Sequence, residues 1–332
     1  MALRWGIVGP GRIANDALAP AISKDPNSEL VAVVSRDPDR ARAFADRHGC
    51  RWAGTDYEGM LALPDVDVVL IATPNALHAD QVVAAARAGK HVFCEKPLAT
   101  TAPAARRAVD ACREAGVTLG INFQTRWQQA FRDARHVIMS GEIGDVVAVQ
   151  IDASPGRRPP GGWRTDPDLA GLGSVFNIGV HIYDALRFTL QSEVVEVAAM
   201  FDTGRKSRQI ETLPMVLLRF DNGALAYANG NQATPFPLND MVVYGTKGRI
   251  DGRGITRPGM EGEMTVVTES GSRTARCSSV DCYDRIVAAF SEAVLKGRDP
   301  DPSGLDGLRS AELADAIAKA ASEGRVVELR VG

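Results

Sequence analysis

Over the first 121 residues the apolar positions fall in short runs, each followed by a stretch of helical spacing. Leu3 to Val8 reads as a buried strand and Ala14 to Ile22 as a helix. Leu30 to Val34 is a second strand, followed by the alternately charged helix Asp39 to Arg47. Val66 to Ile71 precedes a helix from Ala76 to Ala88, which Gly89 stops. His91 to Phe93 precedes a helix that Thr100 or Thr101 caps and that ends near Gly116, and Val117 to Ile121 closes the series. Near-continuous apolar strands alternating with helices predict a parallel, doubly wound sheet, since strands covered on both faces need no polar side.

After residue 121 the pattern changes. Trp127 to Met139 is helical and Gly141 stops it, while Val146 to Ala153 alternates apolar and polar, as a strand with one exposed face does. Residues 155–173 form a Pro- and Gly-rich loop holding Trp163, Arg164 and Asp166, and a loop of that length inside a compact protein is usually functional or disordered. Asn177 to Leu190 is helical, with Asn177, His181 and Asp184 on one face by their spacing. Two hairpins turn at Asp221-Asn222-Gly223 and Gly245-Thr246-Lys247-Gly248. Met264 to Val267 is a further strand. Helices over Cys282 to Leu295 and Leu305 to Ala321 and a strand Val326 to Leu329 complete the chain. The expected architecture is α/β: a Rossmann domain over 1–121, then an α+β domain over 122–332 with a large, open, mostly antiparallel sheet. The uncovered face of that sheet points to a homodimer or homotetramer.

Composition narrows the class. At 45% hydrophobic and 24% charged residues the chain reads as globular, and 332 residues suit two domains. A net charge of -3 argues against a general nucleic-acid binder. Five scattered cysteines (50, 94, 112, 277, 282) suit a reducing cytoplasm better than a disulfide framework. No signal peptide and no apolar run near the ~20 residues of a membrane span stand out, and no metal site is expected.

Candidate chemistry begins at Gly9-x-Gly11-x-x-Ala14, placed between a strand and a helix as a dinucleotide fingerprint requires. Gly9 permits the turn, Gly11 lets backbone approach a pyrophosphate, and Ala14 lets helix and strand pack closely. The second strand ends in Ser35-Arg36, with Arg40 one turn on, where an NAD binder usually carries a carboxylate. A hydroxyl and two guanidiniums favour the 2′-phosphate of NADP. Against this, Arg36 and Arg40 also suit a solvated helix face, and Asp37 could reach a ribose, so NAD stays possible. Asn75 caps its helix or meets the nicotinamide ribose, and His78 taken alone reads as structural. Cys94-Glu95-Lys96-Pro97 sets a Glu–Lys pair at the carboxyl end of a buried strand, where α/β sheets bind ligands.

These motifs, together with Ala72-Thr73-Pro74-Asn75-x-x-His78, Gly141-x-Ile143-Gly144, Trp163-Arg164 and Asn177-x-Gly179-x-His181, resemble in order and spacing the Gfo/Idh/MocA oxidoreductases (glucose–fructose oxidoreductase and inositol dehydrogenase). Trp163 to Pro167 is most similar to members that act on free sugars with NADP. The resemblance implies Lys96 as the catalytic residue with His181 as its partner across the substrate. It implies a cofactor set of Gly9, Gly11, Arg12, Ile13, Ser35, Arg36, Arg40, Thr73, Pro74, Asn75, His78, Glu95 and Lys96, and a substrate set of Lys96, Arg126, Trp163, Arg164, Asn177 and His181. The family commonly carries Asp at Asn177, and Asn cannot titrate. Leu172 stands where many sugar-oxidising relatives have Gly, which narrows the pocket. The expected activity is NADP(H)-dependent hydride transfer to or from a sugar, keto sugar or cyclic polyol in the cytoplasm. The competing readings are a non-catalytic NADP-sensing regulator and a trans-dihydrodiol dehydrogenase.

Overall fold

A computed structural model describes residues 2–157, 161–202 and 210–330, so part of the long loop expected over 155–173 lies outside the described residues. The chain divides into two compact units, residues 1–122 with 283–311, and residues 123–282 with 312–332.

The first unit is built on six strands: β1 Leu3–Val8, β2 Ser28–Val34, β3 Trp52–Gly54, β4 Val68–Ile71, β5 His91–Cys94 and β6 Leu119–Ile121. They lie in the order β3-β2-β1-β4-β5-β6, every pairing parallel. β4 is buried throughout, as the unbroken apolar reading requires. Strand order reverses direction at β1, which lies between β2 and β4, so the switch point falls where the glycine turn leaves the sheet.

The sequence reading places everything beyond residue 121 in the second domain, yet 283–311 belong to the first unit. The reason is packing: the Phe290 ring lies 5.5 Å from Trp5 and 5.0 Å from Phe93. Gly120 makes room for it, since a Cβ there would come within 2.5 Å of the Phe290 ring. The spacing of an amphipathic helix says that it covers a sheet, not which one.

Among its described residues the second unit holds nine strands: β7 Val146–Ala153, β8 Val194–Phe201, β9 Pro214–Phe220, β10 Leu225–Gly230, β11 Met241–Gly245, β12 Gly248–Arg253, β13 Glu261–Thr268, β14 Gly271–Ser278 and β15 Val327–Glu328. Their order is β14-β13-β12-β11-β7-β10-β9-β8-β15, antiparallel except where β7 meets β10. β9 alternates strictly, with Val216, Leu218 and Phe220 buried and Met215, Leu217 and Arg219 turned outward. The helix Val180–Leu190 packs on β7 and β10. Ten of its 11 residues are buried, and the exception is His181.

Strands β3, β8 and β14 have no counterpart in the sequence reading. β14 shows why: of its eight residues Cys277 alone is buried, so no alternation marks it, and its ladder to β13 holds it in place. Pro167–Leu190 is long and apolar enough to be weighed as a membrane span, which the sequence reading did not expect; 67% of its most apolar window is buried inside the protein, as in a core helix.

Candidate active site

In the first unit the ends of β1, β2, β4 and β5 bring the expected cofactor residues to one edge of the sheet. Gly9 follows β1 with φ +88°, and a Cβ there would lie 2.8 Å from the Ala72 backbone after β4. At Gly11 a Cβ would meet nothing nearer than the Gly9 carbonyl oxygen at 4.0 Å. The turn is closed towards β4 and open above Gly11. Arg12 is exposed there, Ile13 half-buried, and the chain is helical from Arg12 to Lys24. This is a cradle of the size and polarity that a pyrophosphate needs, so the residues fit a dinucleotide.

After β2, Ser35 is buried while Arg36 and Arg40 are exposed. Asp37, the carboxylate that could have reached a ribose, is the N-cap of the helix Pro38–His48: its Oδ1 accepts from the Asp39 and Arg40 backbone N–H groups at 3.0 and 3.2 Å. The cap uses one of the two carboxylate oxygens, and Ser35, Arg36 and Arg40 share the polar end of β2 with Asp37.

After β4, Thr73 donates its hydroxyl to Gln81 Oε1 at 2.5 Å. Pro74 is half-buried, and Asn75 opens a short 3₁₀ turn, Asn75–Leu77, rather than standing at the cap position expected for it. His78 is 1% exposed, with Nδ1 2.7 Å from the Pro97 carbonyl oxygen and Nε2 2.9 Å from that of Thr73. It braces the loop after β4 against the loop after β5 from inside the protein, and that is the structural role its residue type suggests. Burial, aided by the Lys96 charge, holds its pKa below the ordinary value.

After β5, Glu95 is buried and its Oε1 accepts from Asn122 Nδ2 at 2.5 Å. Asn122, itself 1% exposed, also donates its N–H to the Cys94 carbonyl at 2.8 Å. Glu95 therefore braces the strand end. Lys96 follows, half-buried, before a cis bond to Pro97. Asn122 was not among the expected site residues. It lies 27 positions from Glu95 in the chain, and only the β5–β6 pairing joins them.

In the second unit, Asn177 lies in a π-turn, Val175–Gly179, which leads into the helix carrying His181. Gly179 and Gly230 allow that start to sit on β10: a Cβ on Gly230 would lie 2.7 Å from Gly179 Cα. Glu211, 2% exposed, accepts from the Gly173 and Val175 N–H groups at 2.8 and 2.9 Å at the head of this segment. Burial raises its pKa, with those two donors acting in the opposite direction. Asn177 Nδ2 donates to Gln232 Oε1 at 2.7 Å. Neither Glu211 nor Gln232 carries a sequence signal, because both reach the segment from distant strands and loops.

Asp184, on the same expected face, is turned to another task. Its carboxylate takes two bonds from Arg126, at 2.7 and 2.6 Å, with both side chains buried. Arg126 also lies over the Phe188 ring at 5.4 Å. This places Arg126, expected as a sugar contact, in the packing of the buried helix. Trp163 is half-buried and Arg164 exposed, its guanidinium 4.3 Å from the Trp163 ring centroid.

The model of the oxidoreductase family with an NAD-binding Rossmann fold (GFO_IDH_MocA) matches residues 3–123, and that of the GFO/IDH/MocA C-terminal domain matches 131–251. The chain belongs to the GFO/IDH/MocA oxidoreductase family. It is an NAD(P)-dependent oxidoreductase with a Rossmann domain followed by an open-sheet domain, as its motifs led one to expect. Among relatives of this oxidoreductase, the 1,5-anhydro-D-fructose reductase of Ensifer adhaerens is 35% identical over 332 residues, 99% of each chain. The D-xylose 1-dehydrogenase (NADP(+)) 2 of Haloferax volcanii is 35% identical over 98% of this chain and 100% of its own. Among solved structures, the aldose-aldose oxidoreductase of Caulobacter crescentus complexed with glycerol superposes with a TM-score of 0.90 at 30% identity, covering 99% of this chain and 100% of its own.

Proposed function

We propose that this oxidoreductase uses NADP(H), in preference to NAD(H), to interconvert a carbinol and a carbonyl carbon of a sugar, keto sugar or cyclic polyol. The observation that carries the reading is the cluster of strand ends at the switch point, where the open glycine cradle, the Ser35–Arg36 corner beside the capping Asp37, and Lys96 share one sheet edge. Relatives named for anhydrofructose reduction and for NADP-dependent xylose oxidation support the substrate class and the cofactor.

When bound, the nicotinamide supplies the hydride chemistry. The chain's own residues handle the proton at the sugar oxygen. Lys96 and His181 are assigned to it: lysine, with a reference pKa of about 10.4, and histidine, near 6.5, are both able to exchange a proton. Ser35, Arg36 and Arg40 hold the 2′-phosphate, Gly9 to Ile13 the pyrophosphate, and Thr73, Pro74 and Asn75 the nicotinamide ribose. Asn177, Trp163 and Arg164 bind the sugar. Asn177 contributes hydrogen bonds only. The working form is a cytoplasmic homodimer or homotetramer associated through the outward sheet face, where Met200 is 75%, Leu217 56% and Leu225 48% exposed.

The test is a cofactor-consumption screen of NADPH with keto sugars and of NADP with aldoses and polyols, on the wild type and on Lys96→Ala. Turnover by the wild type that drops by ~10³-fold or more in the variant supports the assignment. Tight NADP binding with no turnover of any sugar or polyol removes it.

A further inference from the structure

We infer that Asn15 and His48 are positioning residues for the dinucleotide: their contact joins the pyrophosphate turn to the helix behind the 2′-phosphate corner, so that one ligand fits both seats at once. The inference rests on the reading that Gly9 to Ile13 and the Ser35, Arg36 and Arg40 corner hold a single cofactor. It starts from what the turn lacks. Gly9 and Gly11 have no side chain and Pro10 has no N–H. The turn therefore holds its shape through backbone, with the Gly9 N–H donating to the Val34 carbonyl at 3.0 Å and the Gly11 N–H to the Gly9 carbonyl at 2.7 Å. A carbonyl oxygen aimed at a phosphate repels it, whereas the first N–H groups of the following helix have no intrahelical partner and attract it. Asn15, one position past the fingerprint, gathers the next two carbonyls on the helix side. Its Nδ2 lies 3.3 Å from the Pro10 oxygen and 3.5 Å from the Gly11 oxygen, and its backbone N–H donates to Gly11 at 3.0 Å.

Two backbone carbonyls fix which way round the Asn15 amide stands, since neither can donate. Nδ2 faces the turn, and Oδ1 faces His48 Nε2 at 3.1 Å. An amide oxygen only accepts, so the ring carries a hydrogen on Nε2. Burial, and then the Arg47 charge, hold the His48 pKa below its ordinary value. Near neutral pH the ring thus has one hydrogen, and Asn15 assigns it. The ring rests on Phe44, itself 2% exposed, with 4.4 Å between centroids. His48 is the last residue of the helix Pro38–His48, whose first turn carries Arg40. Eleven residues of helix form a rod about 16 Å long, so a tilt at one end displaces the other. Parallel pairing of β1 with β2 sets the spacing of the two seats. The Asn15–His48 contact sets the tilt of the helix, which strand pairing leaves free. A ligand that fills both seats gains from that fixed geometry, and one that fills a single seat does not.

The test is calorimetric titration of the full-length protein, without turnover, using NADP and adenosine 2′-monophosphate, which reaches the corner alone. Asn15→Ala and His48→Ala each raise the Kd for NADP by about tenfold or more, while that for adenosine 2′-monophosphate changes by less than about threefold. The double variant is no weaker than the weaker single one, as two ends of one link require. His48→Gln, whose Nε2 donates from nearly the same place, retains wild-type affinity. Unchanged NADP affinity in both alanine variants, equal weakening of the two ligands, or a glutamine variant as weak as His48→Ala overturns the link. Urea midpoints report whether each variant is folded, and if Asn15→Ala is not, the two His48 variants decide. If the wild type binds NAD but neither NADP nor adenosine 2′-monophosphate, the 2′-phosphate reading fails. The same comparison with NAD and adenosine then judges the link by the same criteria.

Discussion

His78 and Pro97 are joined by a 2.7 Å contact between the ring Nδ1 and the carbonyl oxygen, and the other ring nitrogen lies 2.9 Å from the Thr73 carbonyl. Carbonyls only accept, so both contacts become hydrogen bonds only for the doubly protonated ring, while burial and the Lys96 charge oppose that state. The neutral ring holds one contact by donation, and the loop carrying Lys96 is tied to the loop after β4 through it.

His78 therefore makes stability depend on pH. Its folded pKa lies below the ordinary 6.5, mainly through burial, so the unfolded chain binds the proton more readily. The stability it contributes is present above 6.5 and is lost as pH falls through the lower folded value. Urea midpoints of wild type and His78→Gln, compared at about pH 7.5 and about pH 5, are expected to differ more at the higher pH.

The corner after β2 separates two roles that the sequence leaves entangled. Arg36→Ala is expected to raise KM for NADP by about 10- to 100-fold, the loss of a charge-assisted bond, with little change for NAD. Asp37→Ala is expected to cost about 1 kcal/mol of stability as a lost N-cap, with the NADP-to-NAD ratio unchanged. Steady-state kinetics with both cofactors and a urea titration read the two effects apart.

Arg126→Met removes the main partner of a buried carboxylate. Breaking such a pair costs about 3–5 kcal/mol, and here the Arg187 guanidinium, 3.5 Å from Asp184, keeps the expected loss near the lower end. A sugar contact predicts the opposite pattern, a raised KM at unchanged stability. Urea unfolding alongside sugar kinetics decides between them.

Gly230→Ala would press a methyl group onto the Gly179 backbone, with the added carbon 2.7 Å from Gly179 Cα. Backbone cannot swing aside as a side chain does, so the helix start must shift. A loss of about 1–3 kcal/mol is expected, together with reduced kcat/KM, because the same segment carries Asn177 and His181. Unchanged stability would show that the segment moves without cost.

Much of the first sheet is legible in residue order because its strands are buried on both faces and its turns depend on glycines whose conformation no other residue adopts readily. The glycine turn, the apolar runs and the family motifs are local properties. Even so, β3 has three residues, too few for a periodicity, and β14 is an exposed strand that only its pairing partner defines. The helix Cys282–Leu295 has a readable apolar face, but the Trp5, Phe93 and Phe290 rings decide which sheet it covers.

What the sequence determined by itself was the kind of protein: strand–turn–helix units, a nucleotide cradle, a lysine at a strand end, a helix with Asn177, His181 and Asp184 on one face. Those follow from short-range sterics and from the period of the side chains. Which polar groups would be spent on the scaffold was decided by tertiary structure alone. Asp37 is committed to a helix end, Arg126 to Asp184, Glu95 to Asn122 and Asn177 to Gln232. A hydrogen bond is satisfied by whichever partner the fold brings within 3 Å or so, and most of these partners lie tens of residues away in the chain, where no local pattern records them.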